Sequence, residues 1–245
     1  MKNKNCGIAR LSHQQLAENR LEYERTALKN SGCFVVGIDE AGRGPLAGPV
    51  YAAAVCFTDP NASDPVFELL KNKIRDSKQV GSRLREELFA HLTARNDVLW
   101  GVASESSEAI DEMNILEATK SAMRKAVDDL ASRALGRFPP FCLKKACLAI
   151  DGNFSIRTAL PQTSFISGDR LIFSISAASI IAKVSRDRLM DSYEAEYPGY
   201  GFSAHKGYGT RRHLAALESL GILPVHRKTF APVARLWDNF TNKRI

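Results

Sequence analysis

The sequence predicts an α/β domain with a mixed central sheet flanked by helices, and two patterns carry this prediction. Apolar, β-branched runs at residues 33–38, 50–57 and 98–104 predict three early strands. Helical periodicity then alternates with one more short apolar run, at residues 146–150. This order of strands and helices fits an α/β domain with helices packed on the sheet, and we expect antiparallel early strands and parallel later ones.

The helices are predicted from apolar residues that recur every three or four positions. They cover residues 11–29 with an end at Ser31-Gly32, a segment capped by Ser82, one long stretch from Ile110 to Leu130, residues 172–193, and residues 211–220 closed by Gly221. Boundaries of this kind are good to a few residues.

A chain of 245 residues is expected to form one globule. We divide it into an N-terminal helical prefix, 1–32, a central domain, 33–198, and a C-terminal helical segment and tail, 199–245. The last of these is rich in aromatic residues and is expected to belong to the same globule.

The composition favours a polyanionic partner and a reducing compartment. The net charge is +7 and the pI is about 9.2, which suits nucleic acid, although a merely soluble basic protein has the same balance. The five cysteines are scattered without a C-x-x-C pair. No apolar targeting region or run long enough to span a bilayer is present. We therefore expect a cytoplasmic protein with no membrane association.

Two adjacent carboxylates, Asp39 and Glu40, stand at the end of a buried strand and directly before a glycine loop. Burying acids there costs several kcal/mol unless a partner or a metal ion compensates them. Successive strand residues point to opposite faces, so both can serve one site only where the strand ends or bulges. A divalent ion is the compensation that we expect.

Two further acids are candidates for the same site. Hard ions such as Mg²⁺ take one or two carboxylates each, so a pair of ions needs three or four acids. Asp151 ends a strand, although an Asp before Gly is also typical of a turn. Asp187 is predicted on a helix beside Lys183, Arg186 and Arg188. Its local sequence favours an ordinary ion pair.

The loop Gly42, Arg43 and Gly44 brings backbone N–H groups close to a sugar-phosphate, because glycine removes the side chains that would block the approach. A tight turn without a further role is the alternative. Lys78 offers a point charge for phosphate, although a solvated surface lysine explains it equally.

Tyr208 lies between glycines and near basic residues, which suits stacking on an exposed base or sugar. The histidines His205, His213 and His226 have no metal-ligand spacing. We interpret these histidines as solvent-facing or as nucleic-acid contacts.

Together these motifs resemble bacterial ribonuclease HII, the type 2 RNases H. The matching segments occur in family order between residues 33 and 233. They are Gly37–Val50, Asp76–Lys78, Ile110–Ile115, Ile150–Gly152, Gly168–Asp169, Ala177–Val184, Arg186–Arg188 and His205–Thr210. Ser167 and Gln79-Val80 depart from the usual pattern, which puts only peripheral phosphate contacts in doubt.

The resemblance implies an RNase H-like fold, with residues 33–198 as the catalytic domain. It also implies a four-acid site of Asp39, Glu40, Asp151 and Asp187 that binds Mg²⁺ or Mn²⁺, two ions during catalysis, and so overrides the local ion-pair interpretation of Asp187. The expected substrates are RNA-DNA hybrids and duplex DNA with embedded ribonucleotides, cut to leave 3′-hydroxyl and 5′-phosphate ends. The glycine loop and Tyr208 would sense the ribose 2′-hydroxyl.

Two alternatives stay open. The first is a ribonuclease HIII-like hybrid nuclease, opposed by the Gly42-Arg43-Gly44 loop and by a prefix too short for an extra domain. The second is a non-catalytic nucleic-acid-binding module, opposed by all four acids being present. Nothing in the sequence demands more than a monomer.

Overall fold

The fold is taken from a computed structural model that describes residue 12, residues 19–62, residue 68, residues 81–135 and residues 143–242. Lys78 lies outside these residues. So does the predicted N-terminal helix up to residue 18, apart from residue 12.

The centre of the molecule is a five-stranded sheet in the order β3-β2-β1-β4-β5. The strands are β1 (Phe34–Ala41), β2 (Val50–Phe57), β3 (Val98–Glu105), β4 (Ala146–Asp151) and β5 (Gln162–Phe165). Strand β2 pairs antiparallel with β1 and β3. Strand β4 pairs parallel with β1 and β5. The predicted mixed sheet is confirmed, whereas β5 was not predicted because it is short and mostly polar.

Helices surround this sheet and form the C-terminal part. They are α1 (Glu22–Ser31), α2 (Ser82–Ala94), α3 (Ser107–Met113), α4 (Ile115–Ala134), α5 (Gly168–Leu171), α6 (Phe173–Glu196), α7 (Phe202–His205), α8 (Arg211–Leu220) and α9 (Ala231–Asn242). Helix α1 ends as predicted, with Gly32 in the left-handed conformation at φ 61°. Within the described residues no helix is long and apolar enough to cross a membrane.

Two details of the predicted helices were wrong. The stretch from Ile110 to Leu130 is two helices, because Asn114 adopts φ 68° and breaks it. The Asn114 side chain then caps α4 by accepting the N–H groups of Leu116 and Glu117, at 3.0 and 3.1 Å. The N-cap of α2 is Gly81, and Ser82 is already its first helical residue.

The two faces of the sheet pack against different helices. Apolar side chains of β2 on one face meet α2 and α6, and those on the other meet α4. Val36 and Ile38 of β1 belong to the α4 side. On the α6 side, Gly37 lets the helix approach so closely that a β-carbon would lie 2.3 Å from the Ile175 nitrogen. By alternation Asp39 also faces α6.

The C-terminal part packs on the loop that joins β1 to β2. Ala47 is buried among Met190, Tyr200, Phe202 and Ala216. Leu46 is buried with Leu217 and Val233, from α8 and α9. This loop, residues 42–49, is therefore held between the sheet and the C-terminal helices.

Candidate active site

Asp39 and Glu40 lie at the carboxyl end of β1. The pairing with β2 runs without interruption from Gly37 to Ala41, so β1 has no bulge at the two acids, whereas the pairing with β4 stops at Ile38. Asp39 is 4% exposed. Its carboxylate accepts the Glu40 N–H at 2.7 Å and a hydrogen bond from Ser179 of α6.

Asp151 ends the neighbouring parallel strand. Its predecessor Ile150 pairs with Ile38, which brings Asp151 beside Asp39. The Oδ1 atom of Asp151 accepts the N–H of Gly168 at 2.6 Å, so the start of α5 fixes the carboxylate. The strand-end position expected from the sequence is confirmed.

The charges of neighbouring carboxylates disfavour the ionisation of Asp39 and of Glu40. Burial raises the pKa of Asp39 well above its ordinary value, and the charges of Glu40 and Asp151 add to this. Burial also raises the pKa of Glu40, where Arg43 opposes the effect and Asp151 adds to it. Glu40 Oε2 is buried without a hydrogen-bond partner. The site therefore favours a bound positive charge.

An open cleft of about 370 Å³ is lined by Glu40 and by the loop that follows it. Its lining combines Glu40, Ala41, Gly42, Arg43, Gly44, Arg85, Ser179, Ile180, Lys183 and Tyr208. Three of these side chains carry positive charge. The cleft thus offers one carboxylate, Glu40, together with three cations that suit phosphate.

Asp187 lies two helical turns beyond Ser179 on α6. Its carboxylate pairs with Lys183 at 2.6 Å and with Arg85 at 3.5 Å. Both partners line the cleft. The local ion-pair prediction is confirmed for Lys183, whereas Arg188 pairs with Glu86 instead. The role of Asp187 as a fourth ligand stays a prediction.

The glycine loop has one constrained and one open glycine. Gly42 has φ 96°, and a β-carbon there would lie 2.1 Å from Nε of Arg186. Gly44 has no such conflict, since its nearest neighbour would be Cε1 of Tyr208 at 3.6 Å. Between them, the half-exposed Arg43 side chain pairs with Glu40 at 3.3 Å. Gly42 therefore serves packing, and Gly44 keeps the cleft open.

Tyr208 is held by its backbone and leaves its ring accessible. Its N–H donates to the His205 carbonyl at 2.9 Å, and its own carbonyl contacts Nδ1 of His213 at 3.0 Å. The side chain is 46% exposed and lines the cleft. The ring is thus available for stacking, as the sequence predicted.

The prediction that the three histidines are exposed was wrong. His205 is 9% exposed, and His213 and His226 are fully buried. His213 and His226 meet through their Nε2 atoms at 3.1 Å, and the rings of His205 and His213 stack at 4.4 Å. Burial is the main cause that lowers the pKa of both His213 and His226 to about 4. These histidines support the Tyr208 segment from inside.

Sequence reasoning missed the residues that support the site. Ser179 and Gly168 stood in recognised motifs, so their positions could have been found, but their contacts to Asp39 and Asp151 depend on the packing of α5 and α6. Arg186 and Arg227 are 1% and 0% exposed. No local pattern marks a buried arginine, because charged residues are ordinarily at the surface.

The donor set fits a hard divalent cation. Oε2 of Glu40 is buried without a hydrogen-bond partner. The neighbouring Asp39 has a raised pKa, and the charge of Asp151 raises the pKa of both Asp39 and Glu40. In the part of the chain that the structure describes, no group of three or more Asp, Glu, His or Cys side chains is arranged to hold a metal ion by itself. Ions such as Mg²⁺ need only one or two carboxylates, with water and substrate oxygens as the other ligands.

Comparison with known proteins agrees with this geometry. Ribonuclease HII of Acholeplasma laidlawii is 44% identical over 218 residues, which are 89% of this chain and 97% of that protein. The ribonuclease H2 structure from Pyrococcus horikoshii superposes with a TM-score of 0.64 at 26% identity and covers 85% of this chain and 99% of that one.

A structure of Bst-RNase HIII in complex with Mn²⁺ has a TM-score of 0.64, and covers 95% of this chain and 75% of that one. At 15% identity it supports the fold alone. The predicted RNase H-like fold is confirmed by these neighbours. The family model for ribonuclease HII matches residues 36–233, the region that holds all four acids, the glycine loop and Tyr208. This chain belongs to the ribonuclease HII family.

Proposed function

We propose that this ribonuclease hydrolyses the RNA strand of RNA-DNA hybrids and nicks duplex DNA on the 5′ side of embedded ribonucleotides. The observation that carries the proposal is that Glu40, whose charge couples to those of Asp39 and Asp151, lines one cleft with the glycine loop and the exposed Tyr208. Carboxylates supply ion ligands, and the loop and ring offer contacts to a sugar.

Asp39, Glu40 and Asp151 would hold Mg²⁺ or Mn²⁺, with Asp187 as the fourth acid. Two such ions, when bound, supply an activated water and neutralise the leaving 3′-oxygen. The protein carboxylates then act mainly as ligands, so neither a histidine base nor a serine nucleophile is needed. The three buried histidines fit this division of labour, because they support the fold behind Tyr208.

The rest of the cleft would bind the duplex. Arg85 and Lys183 stand beside Asp187 and are placed to meet backbone phosphates. Arg43 exchanges its contact to Glu40 for a phosphate as substrate enters. A β-carbon added at Gly44 would lie 3.6 Å from Cε1 of Tyr208, so the loop and the ring are neighbours. A ribose bound beside them would present its 2′-hydroxyl to the loop. We assign catalysis to residues 33–198 and substrate contact to residues 199–245.

The test is cleavage of three labelled duplexes of equal length: all DNA, DNA with one ribonucleotide, and an RNA-DNA hybrid. Each is incubated with and without Mg²⁺, and the cut is mapped to the nucleotide. The proposal expects metal-dependent cutting of the second and third substrates, with a single cut 5′ to the ribonucleotide. Cleavage of the hybrid alone would favour the ribonuclease HIII-like alternative, and no cleavage would favour the binding module.

A further inference from the structure

Two buried arginines, Arg186 and Arg227, form hydrogen bonds with the backbone of the loop between β1 and β2. Arg186 donates from Nε to the Pro49 carbonyl at 3.0 Å, from Nη2 to Ala47 at 3.1 Å and from Nη1 to Lys206 at 2.9 Å. Arg227 donates to the carbonyls of Gly42, Arg43 and Gly48, at 2.5 to 3.0 Å. Each of these guanidinium hydrogen bonds therefore ends on a backbone carbonyl group.

The two arginines come from distant parts of the chain. Arg186 lies on α6, directly before Asp187, and Arg227 lies in the segment between α8 and α9. They approach the loop from these two elements and together reach its start and its end. The loop, residues 42–49, is thereby tied both to the helix of the acidic site and to the C-terminal segment.

The glycines of the loop make this contact possible. A β-carbon at Gly42 would lie 2.1 Å from Nε of Arg186, and one at Gly48 would lie 3.5 Å from its Nη2 and 2.6 Å from Sδ of Met190. Both glycines have positive φ, 96° and 81°. The two glycines of the loop thus leave the space that the buried side chain of Arg186 occupies.

Burying two guanidinium groups costs desolvation free energy, which indicates a role beyond general stability. Burial lowers the pKa of Arg227 to about 9, so the group is still charged at neutral pH. Its planar fork can serve several carbonyls at fixed angles, which an ammonium on a flexible stem cannot do. A fixed loop holds its outward groups in one place while substrate binds.

We propose that Arg186 and Arg227 are positioning residues that hold the Gly42-Arg43-Gly44 backbone and the Arg43 side chain in the arrangement that receives the ribose. This inference rests on the proposed function of that loop. Neither arginine would touch the reacting atoms; each acts through the carbonyl groups that it fixes. A displacement of about 1 Å in such a loop costs roughly 100-fold in rate.

The test compares Arg227→Lys and Arg186→Lys with the wild-type chain. Lysine keeps the charge and loses the fork, so these variants are chosen to fold. Amide hydrogen exchange is measured across the loop and the sheet, and kcat and KM are measured with the single-ribonucleotide duplex. Arg95→Ala is the control, because the partly buried Arg95 pairs with Asp97 at 2.6 Å just before β3, at the end of the sheet away from the loop.

The proposal expects faster exchange in residues 42–49 with unchanged exchange in β1 and β2. It also expects kcat/KM to fall at least about tenfold in each lysine variant, while Arg95→Ala keeps wild-type kinetics. Guanidinium ion added to Arg227→Ala should restore part of the activity. Loop exchange and kinetics as in wild type, or an exchange increase spread over the whole sheet, would overturn it.

The exchange measurement does not depend on the substrate. A wild-type chain that fails to cut the single-ribonucleotide duplex would refute the proposed function. Loop exchange in the lysine variants would still decide whether the two arginines hold the loop.

Discussion

Gly42 and Arg186 are in direct contact, because an added β-carbon at position 42 would lie 2.1 Å from Nε of Arg186. Gly42→Ala should therefore destabilise the protein by about 2–4 kcal/mol, from backbone strain at φ 96° together with displacement of the guanidinium. Denaturant unfolding measures this. Gly44→Ala is the control and should change stability by less than about 0.5 kcal/mol. Equal losses in both variants would contradict the assignment of Gly42 to packing.

Asp39→Asn should abolish cleavage, keep duplex binding and raise the melting temperature of the metal-free protein. The reason is that the wild-type carboxylate is buried beside two others, and the variant removes that repulsion. Calorimetry in the presence of a chelator and a binding assay check the prediction. Retained turnover with Mg²⁺ or Mn²⁺ would count against it.

Glu105→Gln is a matched control for that experiment, because it should lower the stability of the protein whereas Asp39→Asn should raise it. Glu105 also lies at a strand end and is 7% exposed, but Lys125 at 2.7 Å and Ser121 at 2.5 Å satisfy it. The variant should lose about 1–3 kcal/mol of stability and keep full activity. A stabilised Glu105→Gln chain would mean that buried acids in general destabilise this fold.

Asp187→Asn should lower kcat with the single-ribonucleotide duplex by at least about 100-fold, if Asp187 is a ligand. Lys183→Met removes the same ion pair, but should raise KM only a few-fold, because it takes away one phosphate contact. Steady-state kinetics separate the two. Identical, small effects of both substitutions on kcat and KM would mean that Asp187 forms only an ordinary helix ion pair.

Stability should fall as the pH drops from about 6.5 to about 4. The folded-state pKa values of His213 and His226 are lowered to about 4, whereas an unfolded histidine titrates near 6.5. Between these values the unfolded chain binds more protons, so acid favours unfolding. The raised pKa values of Asp39, Glu40 and Glu24 act in the other direction, since protonation relieves the cost of burying each carboxylate.

The measurement is therefore made in the Asp39→Asn background, as unfolding free energy against pH. His226→Gln should flatten the curve between pH 4 and 6.5, because one of the two buried groups is removed. A curve of unchanged slope would show that these histidines do not govern the acid limb.

Tyr208→Phe should keep most of the activity on the single-ribonucleotide duplex, because the ring stays. Tyr208→Ala should lose about 1–3 kcal/mol of transition-state or ground-state binding, the usual worth of one stacked base or sugar face. Competition kinetics between the two variants measure the difference. A loss in Tyr208→Phe equal to that in Tyr208→Ala would assign the role to the hydroxyl group.

The sequence was sufficient for the elements whose signal is local. The apolar runs of β1 to β4 were predicted, with antiparallel pairing of the early strands and parallel pairing of the later ones, and so was the placement of Asp39 and Asp151 at strand ends. Strand β5 was missed because its four residues are stabilised by pairing with β4, and not by their own apolar pattern. The break at Asn114 was missed because it depends on one backbone angle.

The interior of the C-terminal part could not be predicted for a related reason. A histidine or arginine in a polar stretch is ordinarily exposed. Here His213 finds its partner in His226, thirteen residues later, and Arg227 finds carbonyl groups about 180 residues earlier. Such contacts exist only after the C-terminal segment has packed on the loop, so no local sequence pattern predicts them.

The central claim is that Asp39, Glu40, Asp151 and Asp187 together bind the ions used in cleavage. Electron paramagnetic resonance of Mn²⁺ measures this most directly, as bound ion per chain during titration in the presence of a single-ribonucleotide duplex. Wild-type protein should bind Mn²⁺ with an affinity that falls at least about tenfold in Asp39→Asn and in Asp151→Asn. Equal Mn²⁺ binding by the wild-type chain and both variants would contradict the account.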